Sequence, residues 1–335
     1  MRRFPPIRAG ATVGRALPPL ALLAAAAAPL LGACLWVYDP GSLVGVADAA
    51  APRDAEAGPS TFCYLERPTP DFCDDFEGQG NETPDGGAPA LPRWNGGGLA
   101  NKLVDSPENR IAIVVDEVGR SRALAVDVVA NDENASLAFV SHEVKPPDER
   151  VPRGAKLKAR FRVKDVRYAD VDAAAADKYL YALGFGDAQQ SEGVALMINE
   201  ELPKLRVTLQ QRLVTTSKGR IELVRLQDTD RAGLASDLQP IELIVAPTSV
   251  LTALGETCAL VDFDDKPVDP AALAQPRDAL RLFVRFPGLV RCVALQNEFA
   301  LGAWLKRVQV VVGAAVGGPG SAAARFDDVA VTLLY

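Results

Sequence analysis

The stretch Ala155-Lys156-Leu157-Lys158-Ala159-Arg160-Phe161-Arg162-Val163-Lys164-Asp165-Val166 decides the fold. Leu157, Ala159, Phe161 and Val163 alternate with Lys156, Lys158, Arg160, Arg162 and Lys164. Successive side chains of a strand point to opposite faces. A period of two therefore predicts one apolar and one charged face, the pattern of a half-buried antiparallel strand. Working outward, similar patterns occur at 122–129, 137–142, 179–185, 194–199, 204–213 and 220–226. More follow at 241–245, 279–286, 291–295, 306–312 and 325–334. Helical periodicity is weak and is confined to 170–178 and 248–256. Many strands separated by Gly, Pro, Asp and Asn predict an all-β chain, a two-sheet antiparallel β-sandwich. No repeat of propeller or solenoid length is visible, and no internal linker divides the strands, so one domain over 61–335 is expected.

The 335 residues are 48% apolar and 24% charged, the balance of a globular protein. That balance excludes a fully disordered chain and a multi-pass membrane protein. His142 is the only histidine. Most zinc sites need more imidazoles or a thiol cluster, and a Ser or Cys triad would have one candidate base.

The N-terminus reads as an address. Arg2, Arg3, Arg8 and Arg15 carry charge with no acid among them, and 20–31 is nearly all Ala and Leu. Pro18, Pro19 and Pro29 oppose a straight spanning helix. A basic start, an apolar middle and small residues describe a secretory signal. The stretch closes Leu31-Gly32-Ala33-Cys34, which resembles the lipobox of bacterial lipoproteins. That resemblance implies cleavage before Cys34, diacylglycerol on its thiol and an acyl (palmitate-type) chain on the new amine. The rival readings are a retained anchor and a plainly cleaved signal. Leu35 in place of aspartate implies, by the same resemblance, sorting to the outer membrane of a two-membrane cell. Each buried methylene contributes about 0.8 kcal/mol, so several chains make a durable anchor.

Removing 1–33 deletes four arginines and no acid. The remaining 32 basic residues face 43 acidic ones, and the formal charge moves from −7 to about −11. Nucleic acid, which needs a basic footprint, is not an expected partner. Residues 34–60 read as a flexible tether between lipid and domain, because 46–59 are mostly small, acidic or proline.

Five cysteines are an odd number for an exported chain. Lipidation of Cys34 leaves Cys63, Cys73, Cys258 and Cys292, with three connectivities open. Pairing of sequence neighbours, Cys63–Cys73 and Cys258–Cys292, is the favoured one in an oxidising compartment. A metal role is the rival reading, although no C-x-x-C spacing occurs.

Phe72-Cys73-Asp74-Asp75-Phe76-Glu77 near the start and Phe326-Asp327-Asp328-Val329-Ala330-Val331 at the end resemble concanavalin A-like lectin and glucanase jelly rolls. So does Gly302-Ala303-Trp304 before a late strand. The resemblance covers under a tenth of the chain and rests on order and placement. It implies a jelly roll in which the first and last strands lie side by side.

Glucanases of that fold carry Glu-x-Asp-x-x-Glu on a strand, setting an acid and a nucleophile about 5–5.5 Å apart. The motif is missing here, as are the Arg-x-Glu-x-Arg and Gln-x-His strands of alginate lyases. His142–Glu143 as a catalytic pair is weighed against a surface histidine at a strand end. Asp262, Asp264, Asp265 and Asp269 form the candidate calcium set, against the plainer reading of a solvated acidic turn. Asp74, Asp75 and Glu77 form a second acidic cluster whose carboxylates could instead accept backbone N–H bonds at a sheet end. Trp94, Tyr168, Tyr179 and Tyr181 are candidate stacking platforms for sugar, against a role in the core. The basic stripe of 156–164 could meet anionic glycan or lipid headgroups, but a face paired with acidic neighbours is the expected reading. Together these features describe an anchored module, without catalysis, that binds extracellular glycan or a partner protein. A glycan hydrolase or lyase and a purely structural envelope protein are the alternatives.

Overall fold

The computed structural model describes residues 61–77, 94, 104–105, 109–116, 121–131, 136–147, 150–168, 179–187, 192–201, 204–213, 220–229, 236–316 and 319–335. The decisive stretch lies within strand β6 (Gly154–Tyr168). It pairs antiparallel with the last strand, β15 (Gly320–Leu334), from Gly154 opposite Leu334 to Tyr168 opposite Gly320. On one side of this pair stand β11 (Gln239–Ala246), β12 (Arg281–Phe286) and β13 (Leu289–Ala294). On the other stand β4 (Arg122–Ala130), β3 (Asn109–Val115) and β2 (Val104–Asp105). The short β1 (Phe72–Asp74) also pairs with β15, with Phe72 opposite Val331, completing a nine-stranded sheet. First and last strands are therefore neighbours.

The second sheet has six strands. In spatial order they are β10 (Arg220–Thr229), β9 (Lys204–Leu213), β8 (Glu192–Glu201), β7 (Tyr179–Asp187), β14 (Val308–Val316) and β5 (Ser136–Val144). Among the described residues, all pairs between these strands are antiparallel. The protein is an all-β, two-sheet jelly-roll sandwich.

The alternation in the sequence explains the layering. Leu157, Phe161 and Val163 of β6 and Leu243, Leu282 and Phe326 of its sheet meet Phe185, Leu196, Leu209 and Val310 of the other in one continuous core. At about 25 cal/mol per Å² of apolar area removed from water, that shared layer is the main stabilising term. Trp304 shows how a short motif serves the core. Gly302 adopts φ 79°, a turn that a side chain would strain, and delivers Trp304 inward. The indole stacks on Phe299 at 4.5 Å and its N–H donates to the Phe299 carbonyl at 3.0 Å.

Several expectations shift. The helix of 248–256 is shorter, Thr248–Ala253. The strand expected from 306 begins at Val308, because Ala303–Lys306 form a 3-10 turn around buried Trp304. β1, β2 and β3 had no strand assigned. In β3 the run Ile111-Ala112-Ile113-Val114-Val115 shows no polar alternation, yet Ile111 and Ile113 alone enter the core. His142 is half-buried, its ring stacked on Phe72 at 4.0 Å, so it is not a plain surface histidine. The helical expectation at 170–178 lies outside the described residues, as does all of 1–60.

Candidate functional site

The outer face of the nine-stranded sheet carries the charged half of the β6 alternation. Its cations are not left to solvent. Lys158 Nζ sits 2.7 Å from Glu66, and Arg160 lies 3.1 Å from Asp328 and 3.9 Å from Asp327. Arg162 is buried and ion-paired with Asp116. Across the strands, Arg285 bridges Glu242 at 2.8 Å and Glu256 at 2.5 Å. Lys158, Arg160 and Arg162 of the stripe are thus paired with acids, in line with the reading the sequence favoured. Lys156 is buried among these groups, and its pKa falls because burial penalises the ammonium, with Lys158 adding repulsion.

A groove of about 620 Å³ opens over this face. Its floor is Lys158, Arg160, Glu242 and Arg285, and one apolar wall is Pro287, Leu289 and Val290 of the β12–β13 hairpin. Phe62 and Glu66 line the groove as well. They belong to the segment around the short helix Thr61–Leu65. That helix is tied down by the Cys63–Cys73 disulfide to β1, and through β1 to β15. The staple is what sets Phe62 beside the sheet. The end of the groove is Asp328. Between Asp327 and Ala330 the register with β6 slips, and Asp328 takes φ 54°. A bulge of this kind re-aims a side chain that strict alternation would have turned inward or away.

The bulge also concentrates acid. Asp327 is 2% exposed, accepts from the Ser121 hydroxyl at 2.9 Å and from the Asp328 N–H at 2.8 Å. Burial, reinforced by the neighbouring Asp328 carboxylate, pushes its pKa up to about 7. Asp328 is also raised, by burial first and then by Asp75 and Glu77, against the pull of Arg160.

The candidate residues from the sequence fare differently. Trp94 is 0% exposed, with its N–H donating to Asp74 at 2.7 Å and its ring between Phe72 and Phe76. It is a core residue and not a stacking platform, because the indole finds both apolar neighbours and an acceptor inside. The side chains of Tyr168, Tyr179 and Tyr181 lie outside the described residues. Along the backbone, Tyr181 stands opposite Met197 and Ala315, and Tyr179 opposite Asn199.

Asp262, Asp264, Asp265 and Asp269 do not converge on an ion. Asp262 accepts the backbone N–H groups of Asp264 and Lys266, each at 2.9 Å. Asp264 pairs with Lys266, Asp265 with Arg291, and Asp269 caps Ala271. Turn geometry and nearby cations consume these carboxylates, so the loop is an acidic turn rather than a calcium cage. No group of three ligating side chains gathers elsewhere among the described residues. Asp74, Asp75 and Glu77 likewise accept backbone N–H bonds from Phe76, Glu77 and Arg122.

The disulfides are Cys63–Cys73 and Cys258–Cys292, each with Cα atoms 5.7 Å apart. Such bridges belong to an oxidising compartment. No helix among the described residues is long and apolar enough to cross a membrane. Cys34 lies outside the described residues.

Phe62, Glu66, Glu242, Arg285 and Val290 had no signal in the sequence. They are spread over more than two hundred positions and meet only through strand register.

No protein-family model and no curated protein matches this sequence. Among solved structures, the chain is similar to a GH43 glycoside hydrolase engineered to display both endo-xylanase and exo-arabinofuranosidase activity. The TM-score is 0.39 at 10% identity, over 81% of this chain and 42% of that one. The chain thus spans less than half the length of that enzyme. It is also similar to a functionally unknown protein from Saccharomyces cerevisiae, with TM-score 0.31 at 10% identity over 69% of this chain and 95% of that one.

Proposed function

We propose that this chain is an exported, lipid-anchored binding module without catalysis, and that its groove takes an extended segment of a partner protein at the cell envelope. The single observation that carries the reading is the groove over β6, β11 and β12, apolar at its walls and neutralised at its floor. Apolar walls from Phe62, Pro287, Leu289 and Val290 reward burial of a partner's side chains. Val290 is 44% exposed and lines the groove, so a partner that covers it removes apolar area from water. The floor cations and acids already satisfy one another, so a neutral backbone can dock without breaking a net charge. The carboxylates that face the groove are engaged too: Glu66 by Lys158, Glu242 by Arg285 and Asp328 by Arg160. None is held ready as a lone general acid or base. The anchor rests on Leu31-Gly32-Ala33-Cys34, and export is supported by the disulfides.

A photoreactive phenylalanine analogue placed at Val290 in living cells tests the groove. The expected result is a protein adduct that a copy carrying the same group at exposed Val115 does not form. Equal labelling at the two sites, or none at 290, overturns the reading.

A glycan is the second reading, favoured by one observation on the other sheet. Gln309 is buried, its amide donates to the Ser141 hydroxyl at 3.3 Å, and its carbonyl oxygen has no partner. An unsatisfied buried acceptor costs about 1–3 kcal/mol, and a sugar hydroxyl that reached this shielded oxygen through a local opening of the face would offset it. Binding on a polysaccharide array that is lost in Gln309→Leu would favour this reading over the first.

A further inference from the structure

A second cavity, of about 480 Å³, lies beside the helix Thr248–Ala253. It is bounded by that helix, by the loop that Cys258–Cys292 ties to β13, and by the start of β12. Arg281 lines it and is 7% exposed. Buried arginines are ordinarily paired, because taking a cation out of water costs several kcal/mol. Arg281 has no carboxylate partner. Its Nη1 donates to the Gln275 side-chain carbonyl at 2.5 Å and to the Leu280 carbonyl at 3.3 Å. Nη2 and Nε make no bond to the protein. Gln275 is itself held, its amide donating to the Leu295 carbonyl at 2.5 Å, so its oxygen is fixed toward the guanidinium. Arg281 thus lines the cavity with only Nη1 of its fork engaged by the protein.

The rest of the lining fits one class of guest. Arg277 adds a second cation, and Thr248 and Thr257 add hydroxyls, while the Thr252 hydroxyl is spent on the Thr248 carbonyl at 2.9 Å. Leu251, Pro270 and Pro276 add apolar surface. Glu256 is the only acid of the lining, and Arg285 already neutralises it at 2.5 Å. An arginine fork matches the two oxygens of a carboxylate, sulfate or phosphate, and such charge-assisted pairs are about twice as strong as neutral hydrogen bonds. We propose that this cavity binds a small organic oxyanion, its charged head taken bidentately by Arg281 and its body lying against the threonine and proline walls. The lowered pKa of Arg281, which burial alone causes, fits a cation lacking its counter-ion. This site is separate from the groove and does not depend on what the groove binds.

Calorimetric titration of the full chain at constant ionic strength tests the proposal, with phosphate, sulfate, benzoate and glucuronate as probes. At least one is expected to bind saturably at a single site. Binding of the first two alone assigns a phosphate or sulfate ester, and binding of the last two alone assigns a carboxylate. Arg281→Met is expected to weaken that binding at least about tenfold, and Arg281→Lys, which keeps charge but loses the fork, by roughly threefold to tenfold. Arg281→Met is also expected to leave the melting temperature unchanged or higher, because it removes an unpaired buried charge. Should Arg281→Met not fold, the lysine variant decides. Silence of all four probes up to about 50 mM, or affinity within about twofold of wild type in the variants, overturns the proposal.

Discussion

Asp327 shows what one residue's surroundings can do to a charge that the sequence leaves ordinary. Its carboxyl is enclosed beside Asp328 and holds its proton up to about pH 7, against 3.8 when free. Between those values the folded chain binds more protons than the unfolded one, so stability falls as pH rises through the window. Above pH 7 the penalty is complete, and at 1.36 kcal/mol per unit it reaches at most about 4 kcal/mol. Asp327→Asn keeps an oxygen to accept the Asp328 N–H and turns its amide N–H toward the Ser121 oxygen, while removing the charge. Urea midpoints across pH 4 to 9 are expected to rise in this variant above pH 7 and to lose much of the slope below it. A variant whose pH profile overlays wild type would refute the assignment. Trp94 teaches the same lesson from the other side. A tryptophan beside Pro92 and a glycine run reads as a surface ring, but twenty positions away Asp74 supplies a buried acceptor for its N–H. Local sequence carries no record of that partner.

Elements were legible where the two faces differ in chemistry. β6 announces itself because lysine and arginine alternate with apolar residues from 156 to 164, and polar residues alternate in the same way along much of β9. β3 was silent because valine and alanine fill its outward positions as well. The loop between Thr248 and β12 is an element of another kind, held by a satellite core. Ile244, Val250, Leu251, Phe283 and Leu334 pack outside the nine-stranded sheet, with Cys258 and Cys292 beside them. Closing a separation of 34 residues removes about 4 kcal/mol of unfolded-state entropy in the chain-entropy account. Replacing Cys258 and Cys292 by serine is therefore expected to cost roughly 2–4 kcal/mol, read as a lower denaturation midpoint. Because the same bridge lines the oxyanion cavity, that variant is also expected to become a target for limited proteolysis within 256–277. Unchanged stability and unchanged cleavage would show that the satellite core holds the loop unaided.

At the scale of the molecule, anchor and sandwich are expected to be independent, because the stretch 46–59 between them has little to bury. Cys34→Ala should shift the chain from the membrane to the soluble fraction while leaving its melting temperature unchanged. Retention in the membrane fraction would sink the lipid anchor. The sequence by itself determined the β class and the two-layer sandwich, and it favoured the pairing of neighbouring cysteines that the structure then selected from three connectivities. Those features follow from periodicity and proximity, which are written along the chain. Only the tertiary structure decided which charges are paired, which tryptophan is buried and where the concavities lie. The groove joins Phe62 to Asp328, and the cavity joins Thr248 to Cys292. Such meetings depend on strand order, on one bulge and on two disulfide staples, and these set distances that no local pattern of side chains encodes.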